Sequence, residues 1–216
     1  MISVLIPIYN GIEFIEASVN SIKSQTFQEW ELIIGVNGHP KNSDVYRKAK
    51  QYEDDKIKTF DLFNIRGKSE ALNEMLKYCS YAWIALLDVD DEWLPRKLEA
   101  QIPYTDRYDV IGTMCKYFGD SHAVPSIPLG DISMFDFLKV NPIINSSSLI
   151  RKKLCNWDSN GIEDYDLWLR LWKQQKKFFN VPEILVLHRI HKQSAFNTKG
   201  HHSLVQSLIE KHKGSS

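Results

Sequence analysis

The chain has 216 residues, 43% hydrophobic and 25% charged, with Lys+Arg and Asp+Glu at 27 each. That length supports a self-sufficient core, and the even charge balance excludes the broad basic field that grips a nucleic-acid backbone. No apolar run approaches the roughly 20 residues needed to span a bilayer.

Cys79, Cys115 and Cys155 are widely spaced and form neither a disulfide framework nor a zinc knuckle. They predict reduced thiols in a reducing, cytoplasmic compartment. "MISVLIPIYN" has no basic leader and no small-residue cleavage site, so it predicts a strand and no secretory signal. The sequence predicts one domain over residues 1–216, free-standing or as a module of a longer polypeptide.

In chain order, "SVLIPIY" reads as a buried strand. Asn10 with Glu13 predicts a cap for a helix carrying Ile15, Val19 and Ile22. "WELIIGV" is a second strand. A Lys-rich helix over 43–52 follows, then a third strand, "KIKTFDL". Ala71, Leu72, Met75, Leu76 and Cys79 recur at helical spacing and predict a helix over 69–79. "YAWIALLD" is the fourth strand, and "DEWLPRKLEAQ" predicts the start of a short helix. This alternation over residues 1–100 implies a Rossmann-like α/β fold with a mostly parallel central sheet. Ligands of such sheets bind beyond the carboxyl ends of the strands. That gathers Tyr9 and Asn10, Asn37 and Gly38, and Asp88 to Asp91 on one rim.

Residues 101–196 are less regular. "YDVIGTMCKYF" predicts a strand, 119–131 a loop, "ISMFDFLKV" a helix and "SSSLI" a strand. "EDYDLWLRLWKQQKK" is amphipathic, with Tyr165, Trp168, Leu169 and Trp172 on one face. "EILVLHRI" predicts a strand. Residues 197–216 hold a tail helix with Leu204, Val205, Leu208 and Ile209, and the closing "KHKGSS" carries no signal.

The stretch "LLDVDDEW" runs a buried strand into Asp88, Asp90 and Asp91. Crowded carboxylates repel one another and lose solvation. A divalent cation answers them, because hard oxygen ligands suit Mg²⁺ or Mn²⁺. The plainer reading makes Asp91 a helix cap and leaves the others solvated, but capping needs one aspartate rather than three. In "NGIEDYDLWLRL", adjacent Glu163 and Asp164 raise one another's proton affinity, which suits a base. The plainer reading there is a capping box from Asn160 to Glu163. Asp166 and Arg170 form an i,i+4 pair.

A strand ending in "PIYNG", a strand ending near "NG", and "NIRGKSEALN" before a helix stand in a particular order. With D-x-D-D after a strand and a later E-D opening a Trp-rich helix, that order resembles the inverting glycosyltransferases of family 2, with the GT-A fold, from Ser3 to Ser194. The resemblance implies transfer from a nucleotide-diphospho-sugar, in first place a UDP-hexose, to a hydroxyl of a glycan acceptor. It implies a single displacement with inversion, assisted by Mn²⁺ (or Mg²⁺). By the same resemblance Asp90 is the main metal ligand, Asp88 contacts metal or ribose, Asp91 supports the loop, and His191 of "RIH" is the third ligand. Arg189 would pair with phosphate, while His188 stands where the family often has an aromatic. Asp164 would be the general base and Glu163 would orient the acceptor or the loop.

The donor pocket would comprise Pro7, Tyr9, Asn10, Asn37, Arg66, Lys68, Asp88, Val89, Asp90 and Arg189. Tyr9 can stack on a base, and Arg66 and Lys68 suit phosphate or ribose. Asp91, Trp157 and Trp168 are candidate acceptor contacts. Where the family's second strand ends in aspartates, this chain has Val36 and Asn37. Asn37 would accept the uracil N3–H as a neutral group. The alternatives are a non-catalytic nucleotide-sugar-binding module and a sugar nucleotidyltransferase. "PIYNGIEF" lacks the glycine-rich, Arg-containing loop of the latter.

Overall fold

The run Ile2–Ile8 forms β1, with nearly every residue buried. In the computed structural model, which describes residues 1–159, 162–192 and 201–214, β1 pairs in parallel with Trp30–Asn37 (β2) and with Trp83–Leu86 (β4). Ile57–Leu62 (β3) extends the parallel array beyond β2. Burial on both faces follows from the alternation of side chains across a strand. Val4, Ile6 and Ile8 meet Val19 and Ile22 of α1 (Ile15–Lys23) in one core cluster. Leu5 and Ile33 meet Ala71, Leu72 and Met75 of α3 (Lys68–Met75) in a second. Between them α2 (Asp44–Lys50) is capped by Ser43, whose hydroxyl accepts from the Tyr46 N–H at 3.2 Å.

Past β4 the sheet changes character. Leu149–Arg151 (β8) pairs antiparallel with β4, and Val110–Gly119 (β6) pairs antiparallel with β8. Phe178–Ile190 (β9) runs parallel to β6 and also holds two short antiparallel strands, Glu92–Trp93 (β5) and Gly130–Asp131 (β7). The order is β3-β2-β1-β4-β8-β6-β9-β5, with β7 on β9. The mostly parallel sheet expected from the sequence holds for the first four strands and for the long β6–β9 pairing, with the short strands β5, β7 and β8 antiparallel. The whole is mixed.

Three local readings are corrected. Asn10 caps nothing: a 3₁₀ turn over Ile12–Phe14 precedes α1, and Gly11 enters it at φ +85° without a side-chain cap. A Cβ there would sit 2.9 Å from Val89 Cγ1, so the close approach itself asks for glycine. Glu92 and Trp93 are extended rather than helical because they pair with Leu187 and Val186; α4 (Lys97–Gln101) begins only after Pro95. "ISMFDFLKV" is not a helix. The side chains of Asp131 and Asp136 accept the N–H groups of Ser133 and Leu138, each at 3.0 Å, and such bonds compete with helical ones.

The strong amphipathic segment is α5 (Glu163–Lys173), which buries Tyr165, Trp168 and Leu169. It carries α6 (His201–Lys213) through a polar contact. Asp166 is fully buried; His212 Nε2 lies 3.0 Å from its Oδ1, and Arg170 Nε donates to its Oδ2 at 2.6 Å. The "KHK" tail thus holds a structural residue, contrary to its featureless reading. Burial raises the Asp166 proton affinity, but the bonds from His212 and Arg170 outweigh it and hold the carboxyl below the ordinary range. All three cysteines are free and buried. Among the described residues no helix is long and apolar enough to cross a membrane.

A depressed folded-state value stabilises above the unfolded value and is lost as pH falls through the folded one. Asp166→Asn is expected to cost about 2 kcal/mol at pH 7, the scale of hydrogen bonds to a charged group, with the deficit shrinking in acid. Urea melts at pH 7 and pH 3 check this. Equal stability of variant and parent at pH 7 would contradict the pairing.

Candidate active site

The parallel arrangement of β1, β2 and β4 delivers Pro7 to Asn10, Asn37 with Gly38, and Asp88 to Asp90 to one side of the sheet. A cavity of about 940 Å³ opens there, at the upper end of the range for small-molecule sites. Arg66 and Lys68 enter its wall from the α3 approach, while Glu163, Asp164 and Arg189 enter from the second half of the chain. Tyr9 is 58% exposed at the edge. Its ring lies so close to Gly38 (φ +75°) that a Cβ would fall 2.6 Å from it. Asn37 is buried and donates from Nδ2 to the Gly67 carbonyl at 3.3 Å.

Each aspartate after β4 has its own partner. Asp88 Oδ1 is 2.7 Å from Lys68 Nζ, and its carboxylate accepts from Asn145 Nδ2 at 3.1 Å. Burial opposes its charge, but Lys68 prevails and holds the carboxyl below its usual range. Asp91 is fully buried. It accepts the Arg189 N–H at 2.8 Å and lies 2.8 Å from His188 Nδ1. Burial pulls the His188 value down, yet Asp91 and then Asp88 and Asp90 leave it raised. Asp90 Oδ2 meets His191 Nε2 at 3.0 Å. Burial, then the charges of Asp91 and Asp88, push its proton affinity up.

Several expected roles change. The Arg189 guanidinium lies 4.5 Å from the Phe14 ring and 4.1 Å from the Phe118 ring. It donates to the Asp90 carbonyl at 2.9 Å and to Glu92 at 3.1 Å. It clamps the aspartate loop from the wall of the cavity. Asp91, Trp157 and Trp168 do not offer side chains to an acceptor. Asp91 and Trp168 are 0% exposed and Trp157 is 2% exposed, with both indoles in the core. The Trp157 backbone is pinned by Asn73, which donates to its carbonyl at 2.7 Å and accepts its N–H at 3.0 Å.

On the opposite wall, α5 opens with Glu163 and Asp164. Glu163 Oε1 is 3.2 Å from Lys68 Nζ, and Asp164 Oδ2 accepts from Asn141 Nδ2 at 3.2 Å. Burial and then the Glu163 charge push the Asp164 carboxyl up to about 6, against the pull of Lys68. Asn160, half of the expected capping box, lies outside the described residues. The helix N-cap is Ile162, with no side-chain bond.

Asn141, Asn145 and Ser146 escaped the sequence reading. Ser146 Oγ accepts the Asp88 N–H at 3.1 Å, so all three organise site carboxylates or their loop. The available signal is the polar content of "NPIINSSS", of which only the serines of "SSSLI" carry a predicted element, a strand.

Among the described residues no three His, Cys, Asp or Glu side chains converge as a metal cage, so the expected trio Asp88, Asp90 and His191 does not form. Asp88 is already answered by an ammonium. Asp90 and His191 do fit a divalent ion: they adjoin, one anionic and one imidazole, and the Asp90 charge is poorly compensated. Mg²⁺-type ions commonly take only one or two protein ligands and complete their sphere from phosphate and water.

The fold is a mixed α/β sheet with a cavity beyond the carboxyl ends of its first strands, and comparison with known proteins places it in a family. The model of the family described as Glycosyl transferase family 2 matches residues 3–158. The O-antigen biosynthesis glycosyltransferase WbnJ of Escherichia coli is 30% identical over 215 residues, covering 90% of this chain and 81% of that protein. A second Escherichia coli protein, UDP-Glc:alpha-D-GlcNAc-diphosphoundecaprenol beta-1,3-glucosyltransferase WfgD, is 36% identical over 102 residues, 47% of this chain and 40% of that one. S. aureus TarS 1–349, solved with UDP-GlcNAc, superimposes with a TM-score of 0.75 at 15% identity, covering 100% of this chain and 67% of that one. The mannosyltransferase PcManGT from Pyrobaculum calidifontis, solved with GDP-Man and Mn²⁺, gives 0.73 at 15% identity, covering 100% and 64%. The chain belongs to glycosyl transferase family 2 and has the GT-A fold.

Asp91→Ala would remove the buried carboxylate that accepts the Arg189 N–H and pairs with His188. It is expected to cost about 3–5 kcal/mol, the scale for breaking a buried charged pair. Chemical denaturation measures this, and a loss below about 1 kcal/mol would place the loop's support elsewhere.

Proposed function

We propose that the chain transfers a hexosyl group from a UDP-linked sugar to a glycan hydroxyl, in one inverting displacement assisted by Mn²⁺ or Mg²⁺. The observation that carries this reading is Asp164: a carboxyl with its proton affinity raised to about 6, facing the cavity that the aspartate loop also lines. A binding module has no need of a carboxyl poised near neutrality; a general base does.

At the donor end, Tyr9 flanks the base and Asn37, its NH₂ engaged by Gly67, keeps its amide oxygen as acceptor for an imide N–H. Pro7, Asn10 and Val89 shape that end, and Arg66 supplies charge toward phosphate. A divalent ion held by Asp90 and His191 would neutralise charge on the departing diphosphate. As the acceptor oxygen bonds to the anomeric carbon, its proton passes to Asp164 and the bond to the diphosphate oxygen breaks. Nucleoside diphosphate leaves, and the configuration inverts because attack is from the opposite face. Asn141 holds Asp164 in place, and the Glu163 charge beside it raises its proton affinity. On the acceptor side Ile127, Val140, Ile144 and Val205 line the wall. That lining suits an acceptor with an apolar part, such as the diphospholipid-linked sugar in the name of the WfgD relative.

The base acts ionised, so transfer is expected to rise through an acid limb with its midpoint near pH 6. Asp164→Asn is expected to lower kcat/KM by about 10²–10⁴-fold while UDP affinity is kept. Asp90→Ala is expected to abolish the metal-dependent part of UDP binding. Release of UDP from a panel of UDP-sugars and calorimetry with UDP and Mn²⁺ check both. Full turnover by Asp164→Asn would refute the base, and equal UDP affinity with and without metal would refute the ion.

A further inference from the structure

Lys68 opens α3, and its one ammonium lies between acids from different halves of the chain. Nζ is 2.7 Å from Asp88, at the end of β4, and 3.2 Å from Glu163, in the first turn of α5. Gly67, at φ +97°, turns the chain into the helix. The start of α3 is then stapled to the approach to α5: Ser69 Oγ donates to the Asp158 carbonyl at 2.9 Å, and Asn73 holds the Trp157 backbone. These contacts fix Lys68 against the base side, while Asn145 fixes Asp88 on the donor side. The Lys68 side chain is 36% exposed to the open cavity, so its pairs are partly screened and exchangeable.

We propose that Lys68 is the positioning residue that links the donor site to the base: its ammonium, shared between Asp88 and Glu163, sets the charge that Asp164 feels. This deepens the function proposed above and rests on it. Asp164 is faced by Glu163 and the Tyr165 N–H from α5, Lys68 from α3, Asp88 from the end of β4, and Asn141 before β8. Lys139, from that same segment, also lines the cavity. Of these, Lys68 is the cation in contact with both Asp88 and Glu163. A diphosphate arriving beside Asp88 competes for the ammonium and draws it from Glu163. Uncompensated, the Glu163 charge then makes Asp164 more basic. The base strengthens when the donor is in place.

The test is a ¹³C-carboxyl NMR titration of Asp164, assigned with Asp164→Asn, in the wild type, Lys68→Met and Lys68→Arg, each without and with saturating UDP and Mg²⁺. Lys68→Met is expected to raise the Asp164 midpoint by about one pH unit or more, and Lys68→Arg to keep it near the wild-type value. UDP with Mg²⁺ is expected to raise it in the wild type and leave it unmoved in Lys68→Met. The acid limb of the kcat profile should move in parallel. If Lys68→Met does not fold, Lys68→Gln serves in its place. The proposal is overturned if the midpoints coincide in all three proteins, or if the ligand moves the Met variant as far as the wild type. It is also overturned if Lys68→Met only weakens UDP binding with the acid limb in place, which would make Lys68 a phosphate contact. A wild type that titrates as expected yet transfers no sugar would defeat the enzyme reading and leave this link standing.

Discussion

Three aspartates at the end of a buried strand cannot remain there without compensation, and much of the second half of the chain is arranged to supply it. Asp88 needs Lys68 from α3 and Asn145 from the segment before β8. Asp91 needs the Arg189 N–H and His188, which brings the end of β9 across the loop. Arg189 in turn sits between two phenylalanine rings and grips the Asp90 carbonyl. Asp90 is left with the weakest answer, a histidine, at the edge of the cavity. Two of the acids are fixed by protein groups and the third is poised for something else.

Environment also separates the acids of α5. Asp164 and Asp166 stand two residues apart, which on a helix places them on different faces. Asp164 faces the cavity, where burial and Glu163 raise its proton affinity; Asp166 faces the core, where His212 and Arg170 depress it. One helix therefore carries a group suited to taking a proton and, half a turn on, a group suited to anchoring α6. The residue types are identical, and the partners decide the chemistry.

What the sequence made legible were features with a strong local period or crowded charge. The buried strands Ile2–Ile8 and Trp30–Asn37, the apolar face of α5, and the convergence of Tyr9, Asn37 and the aspartates on one rim could all be read from pattern. Contacts made across the sheet could not. Trp93 looked helical because its pairing with Val186 lies far along the chain. Trp157 looked like a sugar platform because composition does not report burial, whereas Trp168 already stood in the apolar stripe of α5. Asn141 and Asn145 carry no periodicity at all, and His212 matters only because Asp166 is folded against it.

Anomalous diffraction from crystals grown with UDP and MnCl₂ addresses the central idea most directly. A manganese peak bound by Asp90, with His191 at its side and diphosphate oxygens completing the sphere, is the outcome this account requires. Crystals with UDP bound but no manganese signal near Asp90, its oxygens turned to bulk water, would contradict it.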